Sequence, residues 1–396
     1  MNFSDTTLFS KPRAITSGPR DHLFASYYAI NAWSADGRYA AVLETDVKGR
    51  LATEQDAAVL GVADALDGNR FVPLAETRCW NFQEGTMAHW VGPRQILFND
   101  LVDGRFVSVI LDMDANTRRV AGPAVSAVSP DGQWALGINY ARLRLTRPDY
   151  GYGGNGQDAR VGTVWPEDDG LWLFNLADNS PPRLIVPIAS VRDRMPGVAD
   201  PKALAYFCHT VFSRDGSKIF WLARTVENLA EQATVRQWKT TAFVCDRDGG
   251  NVTRCFPDGW GGSHFNWLDG DRLMVTALYK NKTYSHLLFT PGRDDYTRLG
   301  GGILDFDGHG AFSNNGQWMA TDTYPAPLGE RKLMALRMSD QAVFPLGTYH
   351  IPEIYYDEYS RCDLHPRWSP DNTMLGINSV HEGTRQAYVL DVAPQF

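Results

Sequence analysis

The sequence predicts an all-β fold, a seven-bladed β-propeller of four-stranded blades closed by an N-terminal strand that completes the last blade. Three observations predict it. A turn signal recurs seven times, as Ser34-Ala-Asp-Gly37, Trp90-Val-Gly-Pro93, Ser129-Pro-Asp-Gly132, Ser213-Arg-Asp-Gly216, Trp267-Leu-Asp-Gly270, Ser313-Asn-Asn-Gly316 and Ser369-Pro-Asp-Asn372. Asp-Gly and Asn-Gly favour tight hairpin turns because both central residues tolerate positive φ. Short apolar strands follow each signal, and the two ends of the chain complement each other.

In chain order the first of these strands fall at 39–44, 96–99, 134–139, 219–223, 273–278, 318–321 and 374–378. A second apolar strand follows in every unit, as at 106–111, 171–175 and 387–390. A third and poorer strand closes most units, as at 71–74 and 183–186. Four short strands per unit, repeated seven times, is the pattern of a propeller. The last unit stops after its third strand, and residues 12–17 precede the first unit with no partner of their own. That segment is expected to close the ring and so remove the exposed sheet edges. Residues 1–396 then form one domain, as a closed repeat array permits.

The composition agrees with a globular chain. Its hydrophobic fraction is 43%, and 12 Trp, 16 Tyr and 19 Phe supply a large core. The 36 Gly and 22 Pro are spread along the chain, as many short turns require. A net charge of −8 argues against nonspecific nucleic-acid binding but not against a local basic pocket for an anionic ligand. Five Cys without paired spacing suggest free thiols in a reducing compartment. The start, Met1 to Ser10, has an acid and no apolar core, unlike a signal peptide. The expectation is a cytoplasmic protein, or a periplasmic one whose signal has been removed. No apolar run approaches the ~18 residues of a membrane span.

Four units share a second layout, a histidine followed three residues later by an aromatic: His209-Thr-Val-Phe212, His264-Phe-Asn-Trp267, His309-Gly-Ala-Phe312 and His365-Pro-Arg-Trp368. The equivalent residues of blades one to three are Ile30, Met87 and Val125. With nine His in 396 residues, four in one seven-member column point to a site rather than to chance. The column lies where the innermost strands begin, so it is expected at the mouth of the central channel, across blades four to seven. Neutral imidazole binds Zn, Mn or Fe and also acts as a general base near neutral pH. His309, His365 and Asp363 are candidates to share one divalent ion, manganese or a similar metal.

Other groups map to the same face. His22 lies in the segment entering blade one, and Gln83 and Glu84 lead into blade two. An insertion in blade three, residues 140–154, carries Arg142, Arg147, Tyr150 and Tyr152. Arg361 precedes blade seven. Asp322, Tyr324 and His381 lie in outer loops of blades six and seven. Arginine forms bidentate pairs with carboxylates, and tyrosine stacks on sugar rings. The insertion therefore suits an anionic sugar or is an ordinary solvated loop. His89 and His286 lie within strands and are read as structural. There is no Gly-x-Ser-x-Gly elbow, phosphate loop or dinucleotide fingerprint.

The chain resembles the seven-bladed propeller polysaccharide lyases, nearest the oligogalacturonate lyase group. The resemblance rests on His264, His309 and His365 at successive inner strands, 45 and 56 residues apart, and on blocks such as Arg367-Trp-Ser-Pro-Asp371. It implies a catalytic role for His264 and metal ligation by His309 and His365. Where that group has a glutamine and paired histidines, this chain reads Arg361-Cys-Asp363-Leu-His365. Other propeller lyases use His, Tyr and Arg without a catalytic metal, and the blade-three insertion suits that variant equally.

The function expected is β-elimination at a 4-linked uronic acid in an anionic oligo- or polysaccharide. His264 or His209 removes the C5 proton. Arg142, Arg147 or a metal neutralises the C6 carboxylate, and Tyr150, Tyr152 or a second His protonates the leaving oxygen. Gln83, His22, Arg361, Arg142 and Tyr152 are the candidate substrate-binding residues. Two alternatives stand beside it. A glycoside hydrolase would pair carboxylates from among Glu84, Asp322 and Asp363. A non-catalytic propeller would bind a glycan or protein without needing the histidines.

Overall fold

The computed structural model describes residues 8–68, 70–153, 158, 160–178, 180–196, 202–227, 238–280, 282–324, 329–357 and 359–393. The reading of the first seven residues and the end of the blade-three insertion at Gly154 lie outside the described residues.

Seven antiparallel four-stranded sheets follow one another along the chain. Blade one is β2 (Asp21–Phe24), β3 (Tyr39–Thr45), β4 (Ala58–Asp64) and β5 (Phe71–Thr77). Blade two is β6 (His89–Gly92) to β9 (Thr117–Pro123), and blade three is β10 (Val125–Val128) to β13 (Arg183–Pro187). Blade four runs from β14 (Leu204–Phe212) to β17 (Thr253–Arg254), and blade five from β18 (Ser263–Trp267) to β21 (Thr297–Arg298). Blade six is β22 (Ala311–Phe312), β23 (Trp318–Asp322), β24 (Glu330–Arg337) and β25 (Val343–His350). Blade seven is β26 (Arg367–Trp368), β27 (Met374–Ser379), β28 (Gln386–Asp391) and, from the far end of the chain, β1 (Arg13–Ala14).

The expected closure is therefore present. Arg13 pairs with Val389 and Ala14 with Tyr388, and the Ile15 N–H donates to Ala387 O at 2.8 Å. Ile15, fully buried, packs with Phe24, Trp33 and Val389 where blades seven and one meet. The turn signals do the work expected of them. In Ser129-Pro-Asp-Gly132, the serine hydroxyl donates to Asp131 and accepts the Trp134 N–H, and Gly132 takes φ +70°. Ser213 and Ser369 repeat this arrangement with Asp215 and Asp371.

Two local expectations change. In blade one, the strand pairing with β3 lies well before the turn, and only Trp33 bridges back to Ala40. The residues between β2 and Trp33 leave the sheet, which brings Tyr27 and Tyr28 over the axis. In blade three, the insertion opens with a short helix, α1 (Tyr140–Thr146), rather than a solvated loop. Asn139 caps it by accepting the Arg142 N–H at 3.0 Å, satisfying an otherwise free end of the helix. All five cysteines are free and buried. Among the described residues no helix is long and apolar enough to cross a membrane.

Candidate functional site

The histidine column is a column of backbone irregularities. His209, His264 and His365 have φ of 55°, 51° and 47°, and Met87, their counterpart in blade two, has 52°. Histidine is among the few side chains enriched in this left-handed region. The strand register slips between Cys208 and Val211 and between Ser263 and Asn266. A bulge of this kind re-aims a side chain. The result is a row of imidazoles: the ring centroids of His264 and His309 are 4.1 Å apart, and those of His309 and His365 are 4.3 Å apart. Tyr28 lies over the row, 4.9 Å from His309.

Two carboxylates orient the row. Asp307 Oδ1 is 2.8 Å from His264 Nδ1 and accepts the Thr276 hydroxyl at 2.5 Å. Asp322 Oδ1 accepts the His309 backbone N–H at 2.8 Å and lies 2.8 Å from His309 Nδ1. Its Oδ2 accepts the His365 N–H at 3.0 Å, so one fully buried carboxylate ties blade six to blade seven. An ionised carboxylate only accepts hydrogen bonds, so Nδ1 is the donor in His264 and His309 and Nε2 is the ring nitrogen left for the site. Burial draws His264 below the usual imidazole range although Asp307 opposes it, and His309 beside it adds to the lowering. Burial and the neighbouring His309 hold His365 well below that range. Burial opposes ionisation of Asp307, but His264 and Thr276 keep its carboxyl below the usual range.

His309, His365 and Asp363 each offer one ligand atom, and these atoms lie within 4.8 Å of one another. The Nε2 atoms of both histidines and Asp363 Oδ1 are buried without a hydrogen-bond partner. Two imidazole nitrogens and a carboxylate oxygen form a donor set that fits Mn, Fe or Zn. Asp363 is also an ion-pair partner: Arg361 Nε is 2.8 Å from Oδ2, and Arg331 Nε is 3.5 Å from Oδ1. Burial alone would raise its carboxyl, but Arg361, with His309, His365 and Arg331, holds it far below the usual range. The two guanidiniums offset its charge, which lowers the pull of the set on a cation.

His209 belongs to the other side of the site. Tyr150 lies 5.3 Å and Tyr27 5.5 Å from its ring. Burial, with Arg224 and Arg147 nearby, holds His209 well below the usual range. Arg147 pairs with Asp149 at 2.8 Å and covers the faces of Tyr150 and Trp238 at 4.4 Å each. Beneath this group an axial cavity of about 330 Å³ runs from Tyr27, Glu84 and His209 to the inner-strand turns at Ser129, Ser213 and Asn314. Of the three carboxylates weighed for hydrolysis, only Glu84 lines it.

The remaining sequence candidates separate by partner. Gln83 joins the group around Asp363: its amide donates to Arg361 O at 3.3 Å, and its Oε1 accepts from Arg361 Nη2 at 3.3 Å. Arg361 also covers the Tyr324 ring. Arg142 donates to the carbonyls of Ala205, Arg160 and Thr163 and braces the insertion. Tyr152 stacks on Tyr140 at 4.3 Å and accepts from Asn99 Nδ2 at 2.6 Å. His22 lies within β2 beside Glu44, 3.2 Å away, and against Phe71. His89 Nδ1 contacts Met87 O, and His286 bridges Leu304 O and Thr321 Oγ1. The histidine column, expected at the channel mouth, is covered in this structure, with His309 1%, His365 2% and Arg361 4% exposed. Packing of the blade-one excursion, the blade-two entry loop and the blade-three insertion over the histidines is the reason.

Asp307, Tyr27 and Tyr28 escaped the sequence reading. A signal for Asp307 was there, since blades six and seven both place an aspartate two residues before the histidine, as Asp307 and Asp363. For the two tyrosines there was none, because they stand in no repeating position.

No protein-family model matches the chain, and no curated protein matches it. Among solved structures, it is similar to an oligogalacturonate lyase from Vibrio parahaemolyticus, with 14% identity, a TM-score of 0.67, and coverage of 100% of this chain and 96% of that one. An oligogalacturonate lyase in complex with manganese is alike at 14% identity and TM-score 0.66, covering 100% and 97%. A puromycin-hydrolyzing peptidase from Mycobacterium tuberculosis matches at 12% identity and TM-score 0.54, covering 94% of this chain and 52% of that one. At such identities the likeness establishes the seven-bladed fold.

Proposed function

We propose that this propeller is a carbohydrate-active lyase that opens uronic-acid-containing oligosaccharides by β-elimination. The observation that carries the reading is the oriented imidazole row: His264 and His309 each have Nδ1 against a carboxylate, and burial keeps the His264 ring neutral. A neutral, oriented imidazole is a competent general base. The end-to-end match of fold to two oligogalacturonate lyases supports it further.

His264 takes the C5 proton through Nε2, and Asp307 steadies the imidazolium that results. A divalent ion held by His309, His365 and Asp363 would supply Lewis-acid neutralisation of the C6 carboxylate. Arg361 and Gln83 hold Asp363 and the segment before blade seven in place. Tyr324 and Tyr28 wall the row and exclude water. The departing oxygen needs a proton, and the acidic hydrogens at hand are those around His209: Tyr150, Tyr27 and Glu84.

The test is spectroscopic. The purified protein is mixed with galacturonate-, glucuronate- and mannuronate-containing oligosaccharides, and the absorbance of a C4–C5 double bond conjugated to the carboxylate is followed. Growth of that absorbance in wild type, and its loss in His264→Ala, is expected. No absorbance with any uronate would refute the reading. Metal analysis of untagged protein, with and without His309→Ala, checks the ion separately.

A further inference from the structure

Glu84 stands in a loop built to hold it. The Asn81 side-chain oxygen accepts the backbone N–H groups of Gln83 and Glu84 at 2.9 and 2.7 Å, and its amide donates to Tyr150 O at 2.9 Å. Asn81 and Gly85 pair as an isolated bridge. Gly85 takes φ +60°, and a Cβ there would fall 2.3 Å from the Ala25 carbonyl carbon. Only glycine permits the loop to lie on the blade-one excursion, and this contact fixes the neighbouring Glu84.

The Glu84 residue is 3% exposed and faces the upper end of the axial cavity with Tyr27, Tyr140 and His209. Among the described residues its carboxyl has no hydrogen-bond or ion-pair partner. Arg147 attracts it but is committed to Asp149 through two hydrogen bonds of 3.0 and 2.8 Å. A purely structural carboxylate would be paired, since an enclosed and unpaired charge costs several kcal/mol. Titratable and charged groups face it from every side: Arg147 and Asp149 from the insertion, Tyr27 from blade one, Tyr140 from α1 and Tyr152 beyond it, and Cys208 and His209 from β14.

We propose that Glu84 is the general acid of this site, the group that hands its proton to the departing sugar oxygen. The proposal rests on the lyase reading and selects its proton donor from among the three acidic groups around His209. His264 removes the C5 proton, and the C5–H electron pair becomes the C4–C5 double bond. The C4–O bond breaks with its pair on oxygen, and that oxygen takes the Glu84 proton. The Glu84 carboxylate is reprotonated from solvent, to which His264 returns the C5 proton. The neighbours suit the task less well. His209 is held neutral by burial and by Arg224 and Arg147, so it has no imidazolium proton to give. Burial holds the Tyr27 phenol protonated too firmly. Burial raises the Glu84 carboxyl to about 8, Arg147 opposing and Asp149 adding, which matches its acidity to neutral pH.

The decisive experiment compares two uronates in wild type and Glu84→Gln: one with a sugar at O4, the other with a nitrophenol whose departure needs no proton. For the sugar, kcat should fall about 100-fold or more at unchanged KM, and for the nitrophenyl substrate less than about threefold. The wild-type decline in rate above about pH 8 should vanish in the variant. Glu84→Asp, which keeps a carboxyl, should recover part of the lost rate. On wild type alone, the infrared carbonyl band of a protonated buried carboxyl should persist at pH 7. Equal losses with both substrates, or an ionised Glu84 at pH 6, overturn the proposal while leaving the lyase reading standing. A wild type inert to both substrates overturns the two together.

Discussion

Replacing Asp322 by Asn tests whether one carboxylate holds the histidine row together. Asp322 is fully buried and accepts three N–H groups: two from His309 and one from His365. Asn keeps the shape but turns an amide donor toward one of those N–H groups. One hydrogen bond to a charged acceptor is lost and two are weakened, at about 1.5–3 kcal/mol for each such bond when intact. The expected cost is about 4 kcal/mol. At about 2.1 cal/mol/K per residue, 396 residues give an unfolding entropy near 0.8 kcal/mol/K, so Tm should drop by about 5 °C. On the proposed metal reading, manganese affinity should fall by roughly 10–100-fold, the usual effect of losing the group that orients a ligand. Scanning calorimetry and manganese titration measure the two. A Tm within about 1 °C of wild type together with unchanged affinity would refute the assignment of Asp322 as the strap of the site.

Three other outcomes are expected. Asp307→Asn should lower kcat for elimination by roughly 10²–10⁴-fold with little change in KM, because an amide no longer fixes the His264 tautomer; steady-state kinetics on a cleaved uronate shows it, and an unchanged kcat would count against His264 as base. Ile15→Ala, at the closure of the ring, should cost about 2–5 kcal/mol, read as a lower Tm with an intact far-ultraviolet spectrum. Acid should destabilise the fold through His89 and His286, which burial lowers to about 4 each. Their folded values lie below the unfolded one near 6.5, so the unfolded chain binds more protons between those limits. The contribution is complete above about pH 6.5 and is lost as pH falls toward 4, by roughly 3 kcal/mol per histidine. A Tm that stays flat from pH 7 to 4.5 would contradict this.

The fold was largely legible because its determinants are local. Each Ser-x-Asp-Gly turn needs only its own residues, and the missing outer strand of blade seven shows as a gap at one end and a spare segment at the other. Where a segment departs from the repeat, legibility ends. The 140–154 insertion has no periodic apolar pattern, so α1 was hidden, and the residues that carry Tyr27 and Tyr28 leave the inner edge of blade one for reasons seen only in packing. Of the histidine column, the repeat placed all four members on or just before inner strands. It could not place the partners of Arg142 or Tyr152, which are backbone carbonyls, the Asp169 carboxylate, the Asn99 amide and the Tyr140 ring.

The sequence by itself determined the seven blades, their closure and a column of imidazoles around the axis, because repetition converts spacing into position. Only the tertiary structure decided which of those imidazoles act together. The 4.1 and 4.3 Å ring separations, the Asp307 carboxylate on His264 Nδ1, the Asp322 contact to the His365 N–H, and the unpaired Glu84 above the cavity all arise between blades. Such contacts depend on how far each loop reaches across the axis, and side-chain burial sets their protonation. Neither quantity is written in a repeat.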